Sequence, residues 1–410
     1  MIILAYGDSI RMQTGYGRVS QHIFAHWLKQ GHQIVQIGWQ HMEPPENVIL
    51  YDEDGKQAGT VGLFPPHTRD EFAIKSVLTH IKGIKPDFVY AENDIFTCTD
   101  LIDQKKLISQ DFKLVNYGVI DSPNAAENFR YTLEKIDVPV TPSQFGYKQT
   151  SRINPNAMYI PHGVSLKTYR PLVSDKEEMK ARYNMKGRFV FGLVNRNVPR
   201  KLFPFVFRAI RDLKRKGINN ITLFTIADPA DIAGENLFDL AKRFDLKISW
   251  DLSPADVMLH PQNLNFLISI DESELAKVYN AMNVLVSTSI GEGFGLPTLE
   301  GAACGTPSIA CDHSANTELI SGHGWLYSPV KTSDGNTFYI PNMGHKFTAY
   351  DFPIPDYNEL LKAMEDAYNN TEKLKDYSRK CIDFARAYDW YRILPKWDAV
   401  IEKVEELKGG

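Results

Sequence analysis

The sequence predicts an α/β protein made of two Rossmann-like domains facing across a cleft. Three observations predict it. Apolar runs of strand length alternate with segments of helical periodicity, the pattern of parallel sheets covered on both faces. The alternation lapses over 163–187, which holds a proline and a charged cluster, and then restarts. Glycine-rich or basic turns follow strands in both series, where open parallel sheets bind their ligands. A chain of 410 residues is long enough for two such cores.

The elements follow in order. "MIILAYG" (1–7) reads as a buried strand. "RVSQHIFAHWLKQG" (18–31) reads as a helix, with Val19, Ile23, Trp27 and Leu28 on one stripe and Gly31 as its C-cap. Strands are expected at "HQIVQIGW" (32–39), "PDFVYAE" (86–92), "KLVNYGVI" (113–120) and "MYIPHG" (158–163). The polar, proline-rich region 40–70 reads as a loop or hairpin. The second series has strands at "RFVFGLVN" (188–195), "ITLFTIAD" (221–228), "NFLISI" (265–270), "NVLVSTS" (283–289) and "PSIACD" (307–312). Its helices are expected at 202–217, 235–245, 272–282 and from Pro297 onward. The stretch 388–407 is aromatic and then amphipathic, and predicts a helix packed on an apolar surface.

Bulk properties narrow the partners. The net charge of −4 gives no field that would steer the chain to nucleic acid or an anionic membrane. Peripheral membrane contact stays open. The densest basic run, "RAIRDLKRKG" (208–217), reads as a solvated helix face. Cys98, Cys304, Cys311 and Cys381 form no C-x-x-C pair, and no histidine cluster has zinc spacing. Reduced, buried thiols and the lack of a signal-like start predict a cytoplasmic protein. No apolar run approaches the roughly 20 residues of a spanning helix.

Three stretches carry chemistry. "GDSIRMQTGYGRVS" (7–20) leads from the first strand into the first helix; Gly15 and Gly17 let backbone approach an anion there. Its spacing is not G-x-G-x-x-G, which argues against a dinucleotide fingerprint. "NRNVPRK" (195–201) places Arg196 and Lys201 just after a strand, a fork and a point charge suited to a diphosphate. "GEGFGLPTLE" (291–300) flanks a glycine-rich turn with Glu292 and Glu300, and Pro297 suits the first position of a helix. The N–H groups of Phe294, Gly295 and Leu296 face a phosphate or sugar there, and each carboxylate accepts from sugar hydroxyls.

With these residues, the chain resembles a retaining glycosyltransferase of the GT-B fold, of the family 4 (glycosyl transferases group 1) type. The E-x7-E signature stands as "EGFGLPTLE" (292–300) and its continuation as "GAACGTPSIACDHSANTELI" (301–320). "TPSQFG" (141–146), "IPHGVSLKTYRP" (160–171) and "YDWYRI" (388–393) match the end of the first domain, the crossover and the returning C-terminal segment. The resemblance implies an acceptor-side domain over 1–170, joined by a C-terminal helix at about 388–410, and a nucleotide-sugar domain over 171–387. It implies that Glu300 binds the donor ribose and Glu292 the donor sugar. Arg196 and Lys201 hold the diphosphate, and Gly15 closes over it. It further implies transfer of a hexose from a UDP- or GDP-linked sugar with retention, with no metal and no cofactor beyond the nucleotide sugar. The acceptor is undetermined: sugar, lipid, metabolite, protein or modified nucleic acid. So is the oligomeric state.

One departure stands out. The family often carries a His after a middle strand of the first domain. Here "NYGVIDSPN" (116–124) puts Asp121 in that place, so its catalytic role is in question. Glu92 and Asp94 also end a strand, while His41 and His162 read as structural. The alternatives are a sugar-nucleotide-binding protein with altered catalysis, or a nucleotide-sugar epimerase or phosphorylase of the same architecture.

Overall fold

The computed structural model describes residues 1–67, 70, 72–105, 112–172, 175–261, 270–341 and 351–409. The described chain divides into two compact units. Unit 1 holds Met1–Gly163 and the C-terminal segment from Tyr388; unit 2 holds Val164–Gly344 and Asp351–Ala387.

Unit 1 runs β1 (Ile2–Gly7), α1 (Gly15–Lys29), β2 (Gln33–Gly38), β3 (Glu46–Tyr51), β4 (Gln57–Phe64), α2 (Ile74–Ile84) and β5 (Phe88–Glu92). It continues with α3 (Cys98–Lys105), β6 (Lys113–Tyr117), α4 (Ala125–Asn128), α5 (Arg130–Leu133), β7 (Val138–Thr141), α6 (Gln144–Thr150) and β8 (Met158–Tyr159). The sheet order is β3-β4-β2-β1-β5-β6-β7-β8. β3 and β4 pair antiparallel, so region 40–70 contains a hairpin at the sheet edge; the other pairs are parallel.

The first helix begins at Gly15, three residues before the apolar stripe predicts, because the Thr14 hydroxyl caps it by accepting from Gly17 N at 3.1 Å. Val19, Ile23 and Trp27 are buried against the sheet, and Gly31 closes the helix at φ +87°. Trp27 also meets the C-terminal segment, where α15 (Trp390–Ile393) and α16 (Asp398–Gly409) flank Trp397. The Trp397 ring lies 5.7 Å from that of Trp27 and 4.7 Å from that of Tyr117, both edge-on. That is the apolar surface on which the C-terminal stretch packs.

Unit 2 runs α7 (Lys176–Arg182), β9 (Phe189–Val194), α8 (Phe203–Arg215), β10 (Ile221–Ile226), α9 (Leu237–Arg243), β11 (Ile248–Ser249), β12 (Val257–Leu259) and α10 (Glu272–Ala281). There follow β13 (Val284–Ser287), α11 (Leu296–Ala303), β14 (Ser308–Cys311), α12 (Ala315–Ile320) and β15 (Trp325–Tyr327). A small hairpin, β16 (Tyr339–Pro341) with β17 (Asp351–Pro353), precedes α13 (Tyr357–Asn369) and α14 (Thr371–Ala385). The main sheet has the order β11-β12-β10-β9-β13-β14-β15, all parallel. Phe191, Val206, Phe207, Leu223, Val284 and Ile309 fill the core between the sheet and its helices.

The strand expected at 265–270 falls almost wholly on 262–269, outside the described residues. The four cysteines are buried thiols. Among the described residues, no helix is long and apolar enough to cross a membrane.

Candidate functional site

In unit 2 the predicted residues gather at the carboxyl end of three adjacent strands, β9, β13 and β14. The loop after β9 carries Arg196, Arg200 and Lys201. The turn after β13 carries Glu292, and the turn after β14 carries Ser314. Hydrogen bonds join the three. Ile290 N donates to Arg200 O at 3.0 Å, and the Thr288 hydroxyl donates to Lys201 O at 2.7 Å. Arg200 Nη1 donates to Gly291 O at 2.8 Å, while Glu292 N donates to Ser314 Oγ at 3.0 Å.

Lys201 Nζ and Glu292 Oε1 form an ion pair, with side chains only 8% and 12% exposed. Burial alone would push the Glu292 carboxyl up, but Lys201 and then Arg200 outweigh it and hold the group below its ordinary value. The Glu292 carboxylate is thus kept charged at the carboxyl end of the strands, in a low-dielectric setting where charge acts strongly.

Gly295 starts α11 from the left-handed region at φ +105°, a conformation that favours glycine. Leu296 is the first helical residue and Pro297 the second, one position later than the sequence suggests. The first turn of α11 therefore points its N–H groups and the positive end of its dipole past the turn that holds Glu292. Phe294 is buried beside it. Glu300 sits inside α11, 3% exposed, and its Oε2 accepts from Tyr279 Oη of α10 at 2.8 Å. So Glu292 and Glu300 lie on either side of a helix N-terminus, each with a fixed orientation.

Arg196 is placed differently from Lys201. Its Nε donates to Asp231 Oδ2 at 2.9 Å, and its side chain is 58% exposed. Asp231 is buried, and its other oxygen accepts from Ala233 N at 2.9 Å. Arg200, which its spacing in the sequence does not single out, makes the contact with the glycine-rich turn instead. Tyr279, Asp231 and Ser314 were also missed. Each is tens of residues from its partner, so no local motif announces it.

In unit 1, Gly15 is the exposed first residue of α1 and Gly17 lies in the same turn. A Cβ on Gly17 would stand 2.4 Å from Met12 O, so close packing of the loop already requires this glycine. Between them is half-buried Tyr16, whose hydroxyl pKa is raised well above 10.0, first by burial and then by the charges of Asp94, Glu92, Asp8 and Asp121. The predicted Asp121 is therefore part of a carboxylate group around the start of α1. Glu92 is the most unusual member. It is 2% exposed, accepts from the Ser20 hydroxyl and from Tyr90 Oη at 3.2 Å, and burial raises its pKa to about 8. His162 is buried too and accepts or donates through Nδ1 with Tyr117 Oη at 2.7 Å; burial, then Arg18, lowers its pKa to about 3, so it is neutral.

The profile of the family described as "Glycosyl transferases group 1" matches residues 175–334, the part of unit 2 that holds the two glutamates and Lys201. Over this segment the chain is similar to that family. A curated relative, the D-inositol 3-phosphate glycosyltransferase of Paenarthrobacter aurescens (strain TC1), is 25% identical over 233 residues, 57% of this chain and 48% of its own. The chain thus spans about half the length of that relative. Among solved structures, the sucrose-phosphate synthase of Thermosynechococcus elongatus matches 99% of both chains with a TM-score of 0.73 at 15% identity. Anabaena Alr3699/HepE in complex with UDP-glucose matches 98% of this chain and 99% of its own, with a TM-score of 0.68 at 14% identity. At these identities the likeness is one of fold: two parallel-sheet Rossmann-like domains of the GT-B kind.

Proposed function

We propose that the chain is a retaining glycosyltransferase that moves a hexose from a UDP- or GDP-linked sugar to an acceptor hydroxyl without a divalent metal. The observation that carries this reading is the charged pair Lys201–Glu292 beside the N-terminus of α11, with Glu300 held in the same helix. A nucleotide sugar presents a ribose, a diphosphate and a hexose in a row. Glu300 accepts from the ribose hydroxyls, with Tyr279 fixing its other face. Lys201 and the N–H groups of Phe294, Gly295 and Leu296 meet the diphosphate. Glu292, kept ionised, accepts from a hexose hydroxyl. Arg196 turns from Asp231 to the departing phosphate, and its exposure leaves room for that turn. From unit 1 we assign Gly15 and Gly17 to the donor and Asp121 to a sugar hydroxyl.

In the reaction the C1–O bond to the diphosphate breaks and a C1–O bond to the acceptor forms on the same face. The acceptor proton passes to the departing phosphate oxygen. Positive groups preorganised at that oxygen are typically worth a few kcal/mol each. UDP-glucose is the first donor to try, because the Anabaena protein of the same fold is a UDP-glucose complex. Glycosyltransferase and mannosyltransferase activities are both named among the relatives, so GDP-mannose is the second.

A second reading, a sugar-nucleotide-binding protein without turnover, is favoured by Asp121 standing where the resemblance places a histidine. Nucleotide release separates the two. The chain is incubated with each donor and a panel of methyl glycosides, myo-inositol and lipid extracts, and free UDP or GDP is measured. Release that requires an acceptor, yields a product with the donor's anomeric configuration and vanishes in Lys201→Ala supports the proposal. Donor binding without release under every condition supports the second reading, and an inverted product contradicts retention.

A further inference from the structure

A cavity of about 360 Å³ opens in unit 1 where three elements meet: the middle and end of α1, the β3–β4 turn, and the segment around α15. It lies on a different stretch of α1 from the loop residues discussed above. His26 is eleven residues beyond Gly15, which at 1.5 Å per residue is about 16 Å along the helix. Its apolar wall comes from Ala25, Leu394 and Pro395. Two tyrosines stand at its mouth, Tyr51 at 60% exposure and Tyr391 at 49%.

The walls are held by contacts within the unit. Tyr391 Oη donates to Asp54 Oδ1 at 2.7 Å, and Lys29 Nζ donates to Asp52 Oδ2 at 2.6 Å. Gln30 also lines the cavity; its Nε2 donates to Asp398 Oδ1 at 2.6 Å, and its carbonyl oxygen is an acceptor by type. Lys29 keeps two further donor positions, and the Tyr51 hydroxyl can do either. The rim therefore mixes donors and acceptors. An anion would meet Asp52, Glu53 and Asp54, and an ammonium would meet Lys29. A hydroxyl, which both donates and accepts, suits such a rim, and the C–H face of a sugar ring suits an aromatic and apolar wall. The volume is at the small end of ligand sites, the scale of one or two rings.

We propose that this cavity binds a neutral saccharide, with Tyr51 and Tyr391 stacking on its ring and Gln30 and Lys29 holding its hydroxyls. The proposal is independent of the donor reading: such a site anchors a carbohydrate on unit 1 whatever unit 2 transfers.

Saturation-transfer NMR on the full chain tests it, with methyl α-D-glucopyranoside, methyl α-D-mannopyranoside and maltotriose as probes. At least one is expected to give a signal that persists in Glu300→Gln. Affinity in the Tyr51→Ala/Tyr391→Ala double variant is expected to fall about tenfold, the scale of losing aromatic contacts. Gln30→Leu, which leaves the tyrosines in place, serves the same purpose should the double variant unfold. The proposal is overturned if no probe binds, if the signal survives the variants undiminished, if it is lost in Glu300→Gln, or if spermidine or phosphate binds there in place of a sugar.

Discussion

Glu92 offers the sharpest quantitative test of unit 1. Its carboxyl is buried at the end of β5, between Ser20 and Tyr90, and Oε1 has no hydrogen-bond partner among the described residues. Burial, reinforced by Asp8, raises its pKa from 4.5 to about 8. From pH 4.5 to 8 the unfolded chain has shed this proton while the folded chain keeps it. Stability therefore falls as pH rises through that window and levels off above it. At about 1.36 kcal/mol per pH unit the full loss is roughly 5 kcal/mol. Glu92→Gln keeps an acceptor for Ser20 and Tyr90 and removes the titration. Urea unfolding of both proteins, followed by far-ultraviolet dichroism from pH 5 to 8.5, measures the difference. The wild type is expected to lose roughly 3–5 kcal/mol relative to the variant across that range. A difference that stays constant to within about 1 kcal/mol would refute the reasoning, because it would mean that Glu92 is ionised at little cost.

Other outcomes follow from the same physics. Lys201→Met leaves the Glu292 carboxylate buried without its ion-pair partner and should cost about 3–5 kcal/mol in thermal or urea unfolding, with part recovered in Lys201→Met/Glu292→Leu. His162, lowered to about 3 in the folded chain, binds a proton more weakly than an ordinary histidine at 6.5, so stability drains away as pH falls from 6.5 towards 3. His162→Asn should flatten that acid limb in a pH series of melts. Trp397→Ala removes the ring shared by Trp27, Tyr90 and Tyr117 and should cost about 3–5 kcal/mol, seen as a lower melting temperature.

Much of the fold was legible because its signals are local. Runs such as "RFVFGLVN" and "ITLFTIAD" are largely apolar, as strands buried on both faces are, and they form β9 and β10. The short strands β11, β12 and β15 are not legible in the sequence, since two or three residues carry no period. The start of α1 was misjudged because a Thr cap and two glycines fix it, not the apolar stripe. In the site, Glu292 and Glu300 were legible as two carboxylates around one glycine turn. Their neighbours were not. Arg200, Tyr279, Asp231 and Ser314 act through contacts spanning 21 to 91 residues, which only the packed sheet brings about. The sequence also treated Arg196 and Lys201 alike, whereas folding buries one against Glu292 and sends the other outward to Asp231.

The central claim is that Glu300 and its neighbours hold a nucleotide sugar. Isothermal titration of the wild type, Tyr279→Phe and Glu300→Gln with UDP-glucose and GDP-mannose tests it most directly. One donor should bind the wild type, and Glu300→Gln should weaken it about tenfold to a hundredfold, the scale of losing hydrogen bonds to a charged group. Tyr279→Phe should fall between. Equal affinity in all three proteins, or no binding of either donor to the folded wild type, would contradict the account.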